Sequence, residues 1–295
     1  SAILPSEAVE KKTPNYYFAH ITGENGLSHS YVRAILQDSY GFMWFGTRNG
    51  LNRYDGVSVR TFYCEDTASQ KNNYDVLSVF DDGNHLWIGT EDGIYLFDPV
   101  TEKFFYMDIV SDNGLALSGE ITDIRADHNG NIWILSRRHG LFRYNSQKLY
   151  HYSLTDMSGR FTTVVPGCMS IGMNGDIWIG TLYAGLFKYR ESVDSFRQYL
   201  TDKAGNSLSD CDINSLCETD GTLFFSVYEG GLKAFDPVSG RISTIRIPSP
   251  ERSVIKSIHP YENMLWVASQ SGIYLINGNK EIVNYITENP VNPYS

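Results

Sequence analysis

Carboxylates recur along this chain at Asp38, Asp55, Asp98, Asp127 and Asp236, and two such groups facing each other across a cleft would suit glycoside hydrolysis. Their placement argues against that chemistry. Each stands at a turn position of a repeating pattern, where an Asp side chain bonds nearby backbone N–H groups. An acid that recurs is a poor candidate for a unique site. The seven His residues are scattered, with no HxxxH spacing. Cys64, Cys168, Cys211 and Cys217 include no CxxC pair for structural zinc. No GxSxG elbow occurs, and no Gly-rich loop is followed by the Lys of a phosphate site. The sequence therefore predicts a segment with no catalytic residue, no metal and no cofactor. A carbohydrate-active enzyme, glycosidase or lyase, and a purely structural propeller serving dimerisation or packing are the alternatives.

Binding chemistry is better represented. Arg137, Arg138 and His139 follow one another, and paired guanidinium groups can fork onto a carboxylate or sulfate. Tyr183, and Tyr228 with Glu229, offer flat apolar faces of the kind that stack on sugar rings. Arg48 and Asn49, near His29 and Tyr31, form a second candidate cluster. The competing reading is solvated Arg pairs and Tyr residues packed on a neighbouring element.

These residues belong to six copies of one pattern. The copies read MWFGTRNGLNRYD from Met43, LWIGTEDGIYLFD from Leu86, IWILSRRHGLFRYN from Ile132, IWIGTLYAGLFKYR from Ile177, LFFSVYEGGLKAFD from Leu223 and LWVASQSGIYLIN from Leu265. The anchor aromatics Trp44, Trp87, Trp133, Trp178, Phe224 and Trp266 are spaced by 43, 46, 45, 46 and 42 residues. A period in the forties built from short strands and Gly turns marks a β-propeller blade. In the first copy, strands are predicted at Val32–Leu36, Phe42–Gly46, Leu51–Tyr54 and Val57–Phe62. A turn separates each from the next, and Gly50 suits the tight reversal. The fold class is therefore all-β, a propeller of four-stranded antiparallel blades. Blades are expected over about 32–64, 75–107, 121–152, 163–199, 212–245 and 254–286, with 1–15 a leader and 287–295 a linker or the start of a further blade.

The anchor Trp is expected to fill the wedge between adjacent blades. From anchor to turn Gly, three copies span six residues (Trp44→Gly50, Trp87→Gly93, Trp266→Gly272). Three consecutive copies span seven (Trp133→Gly140, Trp178→Gly185, Phe224→Gly231). A structural repeat has no need of this asymmetry, and binding residues favour loops held on a rigid scaffold. The longer turns carry Arg137 to His139, Tyr183 and Tyr228.

Tyr16–Ile21 resembles the outer strand that precedes each later copy. The sixth copy has its own fourth strand, Glu281–Ile286, so the expectation is six blades plus one strand of a seven-bladed ring, the remaining strands lying beyond Ser295. A closed six-bladed ring is the alternative. The net charge of −10 argues against a nucleic-acid or anionic-membrane binder, and no stretch has the length of a membrane span. Cys168 and Cys217 fall on first strands of neighbouring blades and are a conceivable disulfide. Free buried thiols are the simpler reading.

The stretch Phe18–Gly56 resembles the two-component regulator propeller repeat. Gly26-Leu27-Ser28, Ile35, Asp38, Gly41, Trp44-Phe45-Gly46-Thr47 and Gly50-Leu51-Asn52-Arg53-Tyr54-Asp55 carry the match. It weakens where Gly172 replaces the Asp and Ser226-Val227 replaces Gly-Thr. The resemblance implies the first propeller of a periplasmic sensor in a Bacteroidetes-type hybrid two-component receptor, with no kinase segment in this chain. A second propeller and a small β-sandwich would follow, then a transmembrane helix, a histidine kinase and a response regulator. The implied ligand is an oligosaccharide released from a polysaccharide, whose binding switches on utilisation genes. The implied partners are that ligand, the second propeller and β-sandwich, and a second copy in a homodimer. Nucleic acid and direct membrane insertion are not expected.

Overall fold

A computed structural model describes residues 19–208, 211–228, 230–247 and 254–286. Six four-stranded antiparallel sheets follow one another along the chain, each with its strands in sequence order. Blade 1 comprises Val32–Gln37, Met43–Thr47, Gly50–Tyr54 and Val59–Phe62. Blade 2 comprises Val76–Asp81, Leu86–Thr90, Gly93–Asp98 and Lys103–Tyr106. Blade 3 comprises Ile121–Ala126, Ile132–Ser136, Gly140–Asn145 and Lys148–Tyr152. Blade 4 comprises Val165–Ile171, Ile177–Leu182, Leu186–Arg190 and Ser195–Tyr199. Blade 5 comprises Ile213–Thr219, Thr222–Val227, Gly231–Asp236 and Arg241–Ile245. Blade 6 comprises Ile255–Tyr261, Met264–Ser269, Gly272–Ile276 and Ile282–Ile286. The molecule is a β-propeller, as its repeat predicts. A short hairpin, Cys64–Asp66 with Lys71–Asn73, is added between blades 1 and 2. No helix of the described residues is long and apolar enough to cross a membrane.

The anchor Trp packs as expected, and its partner is specific. Ring centroids lie 5.6 Å apart for Trp44 and Phe97, 5.3 Å for Trp87 and Tyr144, 4.9 Å for Trp133 and Tyr189, and 5.8 Å for Trp178 and Phe235. Each Trp thus meets the third-strand aromatic of the next blade, edge to face, the geometry the ring quadrupoles favour. The indole N–H is used as well. Trp44, Trp87 and Trp133 each donate Nε1–H to a carboxylate of their own blade, Asp38, Asp82 and Asp127, at 2.7 Å. The other oxygen of Asp38 accepts the N–H groups of Tyr40 and Phe42, so one Asp closes a turn and fixes an indole together. Asp55, Asp98 and Asp236 act as turn residues only, accepting from Val57, Val100 and Val238 N–H.

Blade 4 lacks that Asp, with Gly172 in its place, and blade 5 fills the space. A Cβ at Gly172 would lie 2.2 Å from Glu218 Oε2, so glycine makes room for the Glu218 carboxyl, which reaches back to the Trp178 indole and Asn174. The contact falls short of good geometry: Trp178 Nε1 and Glu218 Oε2 are buried without a hydrogen-bond partner. Burial, with the nearby Asp176 charge, raises the Glu218 pKa. The folded state then holds that proton more tightly than the unfolded chain, so stability falls as pH rises through the folded value. We predict that Glu218→Gln raises stability at pH 7 by about 1 kcal/mol, the low end for relieving an unsatisfied buried charge. The gain should vanish below about pH 4, where the Glu218 side chain is itself protonated and neutral. Chemical denaturation at the two pH values measures it.

None of the four cysteines is in a disulfide. Cys168 directs its thiol at the Ile213 carbonyl, 3.5 Å away in the first strand of blade 5, and packs in the core between blades 4 and 5. Cys217 lies in the core between blades 5 and 6. The first strand of blade 5 stands between the two thiols, so the conceivable disulfide does not form. Burial pushes the Cys217 thiol up to about 11 and that of Cys168 higher still, which keeps both unreactive.

Five apolar cores join blade 1 to 2, 2 to 3, 3 to 4, 4 to 5 and 5 to 6. Among the described residues no such core joins blade 6 to blade 1, and no strand of one packs comparably on a strand of the other. Among the described residues the ring of blades is open at that seam. Of the expected outer strand 16–21, residues 16–18 lie outside the described residues, and 19–21 take no part in a strand.

Candidate ligand-binding face

The turns between second and third strands and the loops leading into each first strand form one face. A buried hydroxyl shapes most of the turns. Thr47, Thr90 and Thr181 donate Oγ1–H to the carbonyls of Gly50, Gly93 and Gly185 at 3.0, 3.0 and 2.7 Å, and Ser269 does the same to Gly272 at 2.8 Å. Backbone bonds then tie turns to leading loops. Gly50 N–H donates to Tyr74 O, Gly93 N–H to Gly119 O and Tyr183 N–H to Cys211 O, each crossing to the loop that enters the next blade. Such anchoring gives exposed side chains a rigid base.

The unequal turn lengths are real in three dimensions. Two residues separate the second and third strands of blades 1, 2 and 6, and three do so in blades 3, 4 and 5. Tyr183 and Tyr228 are 48% and 52% exposed. Tyr183 has φ +66°, a left-handed conformation that costs a non-Gly residue roughly 1 kcal/mol or more. Its N–H bond to Cys211 holds it there. Arg137 is exposed and pairs with Glu120 at 3.5 Å. His139 is kept below the ordinary imidazole pKa by burial, then by Arg138 and His151, so it is neutral at pH 7. Arg48 lies 4.6 Å from the centroid of the Tyr31 ring, which Arg33 also approaches at 5.3 Å, and Asn49 N–H donates to Thr47 Oγ1. Glu229 lies outside the described residues. Neighbours in sequence are thus assembled locally, and no hydrogen bond, ion pair or ring contact joins Arg137, Tyr183 and Tyr228.

A cavity of about 390 Å³ opens beside the longer turn of blade 5. Leu208 and Cys211 line it from the loop before blade 5, and Val227, Gly230 and Lys233 from blade 5 itself. That volume is in the range of small-ligand clefts and would hold one sugar ring. Lys233, which donates to Thr244 Oγ1 at 2.8 Å, supplies a positive charge at its wall. Sequence reading missed Lys233, because it sits in a strand among alternating polar positions and nothing local distinguishes it. A larger groove, about 680 Å³, runs between the blade 5 outer strand and Lys280 to Ile282 of blade 6. Lys280 belongs to a third-to-fourth strand turn, which antiparallel topology places on the opposite face.

A second set of acids also escaped the sequence. Asp66, Asp112, Asp156 and Asp202 each sit in a leading loop and bond the outer strand of the blade that follows. The donors are Tyr106 N–H, His151 N–H, Gln198 Nε2–H and Ile242 N–H. Hydrogen bonds from Asn206 and backbone N–H groups hold Asp202 down to about 2, and those from Gln198 and Ser158 hold Asp156 lower still. These carboxylates staple loops. Among the described residues, no group of three or more His, Cys, Asp or Glu is placed to hold a metal.

The sequence profile of the two component regulator propeller family matches residues 26–49. A 55-residue stretch is 38% identical to "Histidine kinase P4" of Formosa agariphila, covering 19% of this chain and 4% of that protein. Among solved structures, the extracellular domain of a hybrid two component system from B. thetaiotaomicron superposes with a TM-score of 0.73 at 23% identity. The alignment covers 92% of this chain and 36% of that one, so the chain spans about a third of that structure. PorZ, a surface component of the type-IX secretion system of Porphyromonas gingivalis, gives 0.65 at 16% identity, covering 88% and 42%. At these identities the likeness is one of fold, and one fold serves several functions. Residues 26–49 thus match the two-component regulator propeller repeat, within a propeller fold that resembles the extracellular domain of a hybrid two-component system.

Proposed function

We propose that this chain is an extracytoplasmic, periplasmic sensor propeller of a hybrid two-component receptor, and that its turn face receives an oligosaccharide. The family repeat at residues 26–49 carries the sensor assignment. Three consecutive lengthened turns with exposed Tyr183 and Tyr228, beside a cleft edged by Lys233, support the ligand assignment. Stacking on the two phenol rings would hold a sugar's apolar face, and Arg137 or Lys233 would meet a carboxylate or sulfate on an acidic one. In the whole receptor, a second propeller, a β-sandwich and a second copy would carry the signal to a histidine kinase.

The recurrent acids Asp38, Asp55, Asp98, Asp127 and Asp236 are occupied in turns and indole bonds, which supports binding without turnover. Incubated with plant and host polysaccharides, the chain should release no reducing ends. Within its receptor, Tyr183→Ala and Tyr228→Ala should each weaken the response to the inducing oligosaccharide roughly tenfold, the loss of about 1.4 kcal/mol of binding. The melting temperature should stay within about 2 °C. Release of reducing ends would replace the reading with an enzyme, and an unchanged response in both variants would make this propeller a packing scaffold.

A further inference from the structure

The first strands of successive blades pack one on the next, so they form the inner wall of the propeller around its axis. Blade 3 departs from the repeat on that wall. In the other blades Ala34, Ser78, Cys168, Ser215 and Ser257 stand opposite a small second-strand residue. Blade 3 has Asp123 there, opposite Leu135. Two residues on, the other blades place Leu36, Phe80, Ser170, Cys217 and His259 opposite the anchor aromatic. Blade 3 has Arg125, opposite Trp133. Ser78 and Cys168 aim at the carbonyls of Ile121 and Ile213 in the next blade. By the same register Asp123 and Arg125 lie on the side of their strand that faces blade 4. The first strands of blades 3 and 4 pack less closely than the other successive pairs, which leaves the two longer side chains room.

Arg125 Nε–H donates to Asp123 Oδ2 at 3.1 Å. One edge of the guanidinium is thereby used, and among the described residues its two terminal nitrogens have no hydrogen-bond partner. The Arg125 side chain is 43% exposed, and His259, on the first strand of blade 6, is exposed as well. Burial nonetheless lowers the His259 pKa, and the charge of Arg125 lowers it further. Groups that water reaches, that protein surrounds and that feel one another from blade 3 to blade 6 share the axial opening. A half-exposed ion pair returns little stability, and the repeat supplies small or uncharged residues at both positions in its other copies. Packing therefore does not account for this pair.

We propose that Arg125 anchors a second ligand site, on the propeller axis, that takes the carboxylate of a small organic acid. The two terminal nitrogens form a planar fork that matches two carboxylate oxygens. Asp123 holds the guanidinium from its Nε edge, and its negative charge disfavours a dianion such as phosphate at the same place. His259, neutral at pH 7, offers a ring nitrogen to a hydroxyl of the bound acid. This site is separate from the turn face of blades 3 to 5 and does not rest on it.

The test titrates the 295-residue chain with acetate and with D-glucuronate, with glucose and inorganic phosphate as controls, and follows the Arg125 Nε–H resonance by NMR. Both carboxylates should shift that resonance saturably, with a Kd of about 1 mM or tighter for glucuronate. Glucose should leave it in place, and phosphate should bind more weakly. Arg125→Lys keeps the charge and loses the fork, so calorimetry should show glucuronate binding weakened about tenfold. Arg125→Gln repeats the comparison with an uncharged side chain, so that a folding defect in one variant does not decide the outcome. Tyr183→Ala should leave the affinity unchanged. An Arg125 resonance that neither carboxylate moves at up to about 50 mM, or phosphate bound as tightly as glucuronate, would overturn the proposal. So would binding lost in Tyr183→Ala but kept in the Arg125 variants, which would give the carboxylate to the turn face.

Discussion

Trp133→Ala should destabilise this propeller by about 3–5 kcal/mol, the range for removing a buried large aromatic. Trp133 is fully buried. It contacts Tyr189 of the next blade at 4.9 Å and Tyr152 at 5.5 Å, with the Arg143 guanidinium 5.6 Å from its centroid. Removing the ring opens a cavity between blades 3 and 4 that neither sheet can close alone. Trp133→Phe should cost less, about 1–2 kcal/mol, because Asp127 keeps its bond from Asn131 Nδ2 at 2.7 Å when the indole donor is lost. Urea denaturation of the two variants measures both values. Equal losses would mean that the indole–carboxylate bond matters more than the packed area.

Gly89→Ala should cost about 2–3 kcal/mol, near the upper end for an overpacked core. Its backbone is ordinary; the constraint is the neighbouring blade. An added Cβ would lie 2.6 Å from Ile121 O and 2.2 Å from Ser78 Oγ, and Ser78 Oγ–H donates across the interface to that same carbonyl at 2.9 Å. Backbone cannot yield as a flexible side chain would. Gly46 and Gly180 meet the next blade through the Val76 and Ile213 side chains rather than a carbonyl, whereas blade 3 has Leu135 at this position, and its first strand packs less closely on that of blade 4. Ser269→Ala serves as a control: it removes a bond to its own turn and should cost about 1 kcal/mol. The discriminating readout is the denaturation midpoint, which should fall further for Gly89→Ala.

Much of this was legible in the sequence because it is local. The anchor aromatics, the turn glycines and the unequal turn lengths each fit within a dozen residues and recur with the period, and the strands fall where those signals place them. Interactions between blades were not legible. Nothing near Gly172 says that Glu218 of the next blade fills its space. The stapling acids Asp66, Asp112, Asp156 and Asp202 sit in loops of unequal length and sequence, which hides their recurrence. The Gly of Trp-x-Gly-Thr falls inside a predicted strand with no local sign of its role, and in the structure a Cβ at Gly46, Gly89 or Gly180 would collide with the first strand of the next blade. The candidate site was legible only in part. Turn length marked the face, but the cleft near Lys233 arises where a loop and a strand from different parts of the repeat converge.

Thermal unfolding of this chain with neutral and acidic oligosaccharides tests most directly the proposal that the turn face of blades 3 to 5 binds the ligand. A ligand that binds only the folded state raises the melting temperature with concentration, by an amount set by RT ln(1 + [L]/Kd). The predicted result is a saturable rise with at least one oligosaccharide that Tyr183→Ala and Tyr228→Ala both diminish. A rise that neither substitution alters, or no rise with any sugar, would contradict it.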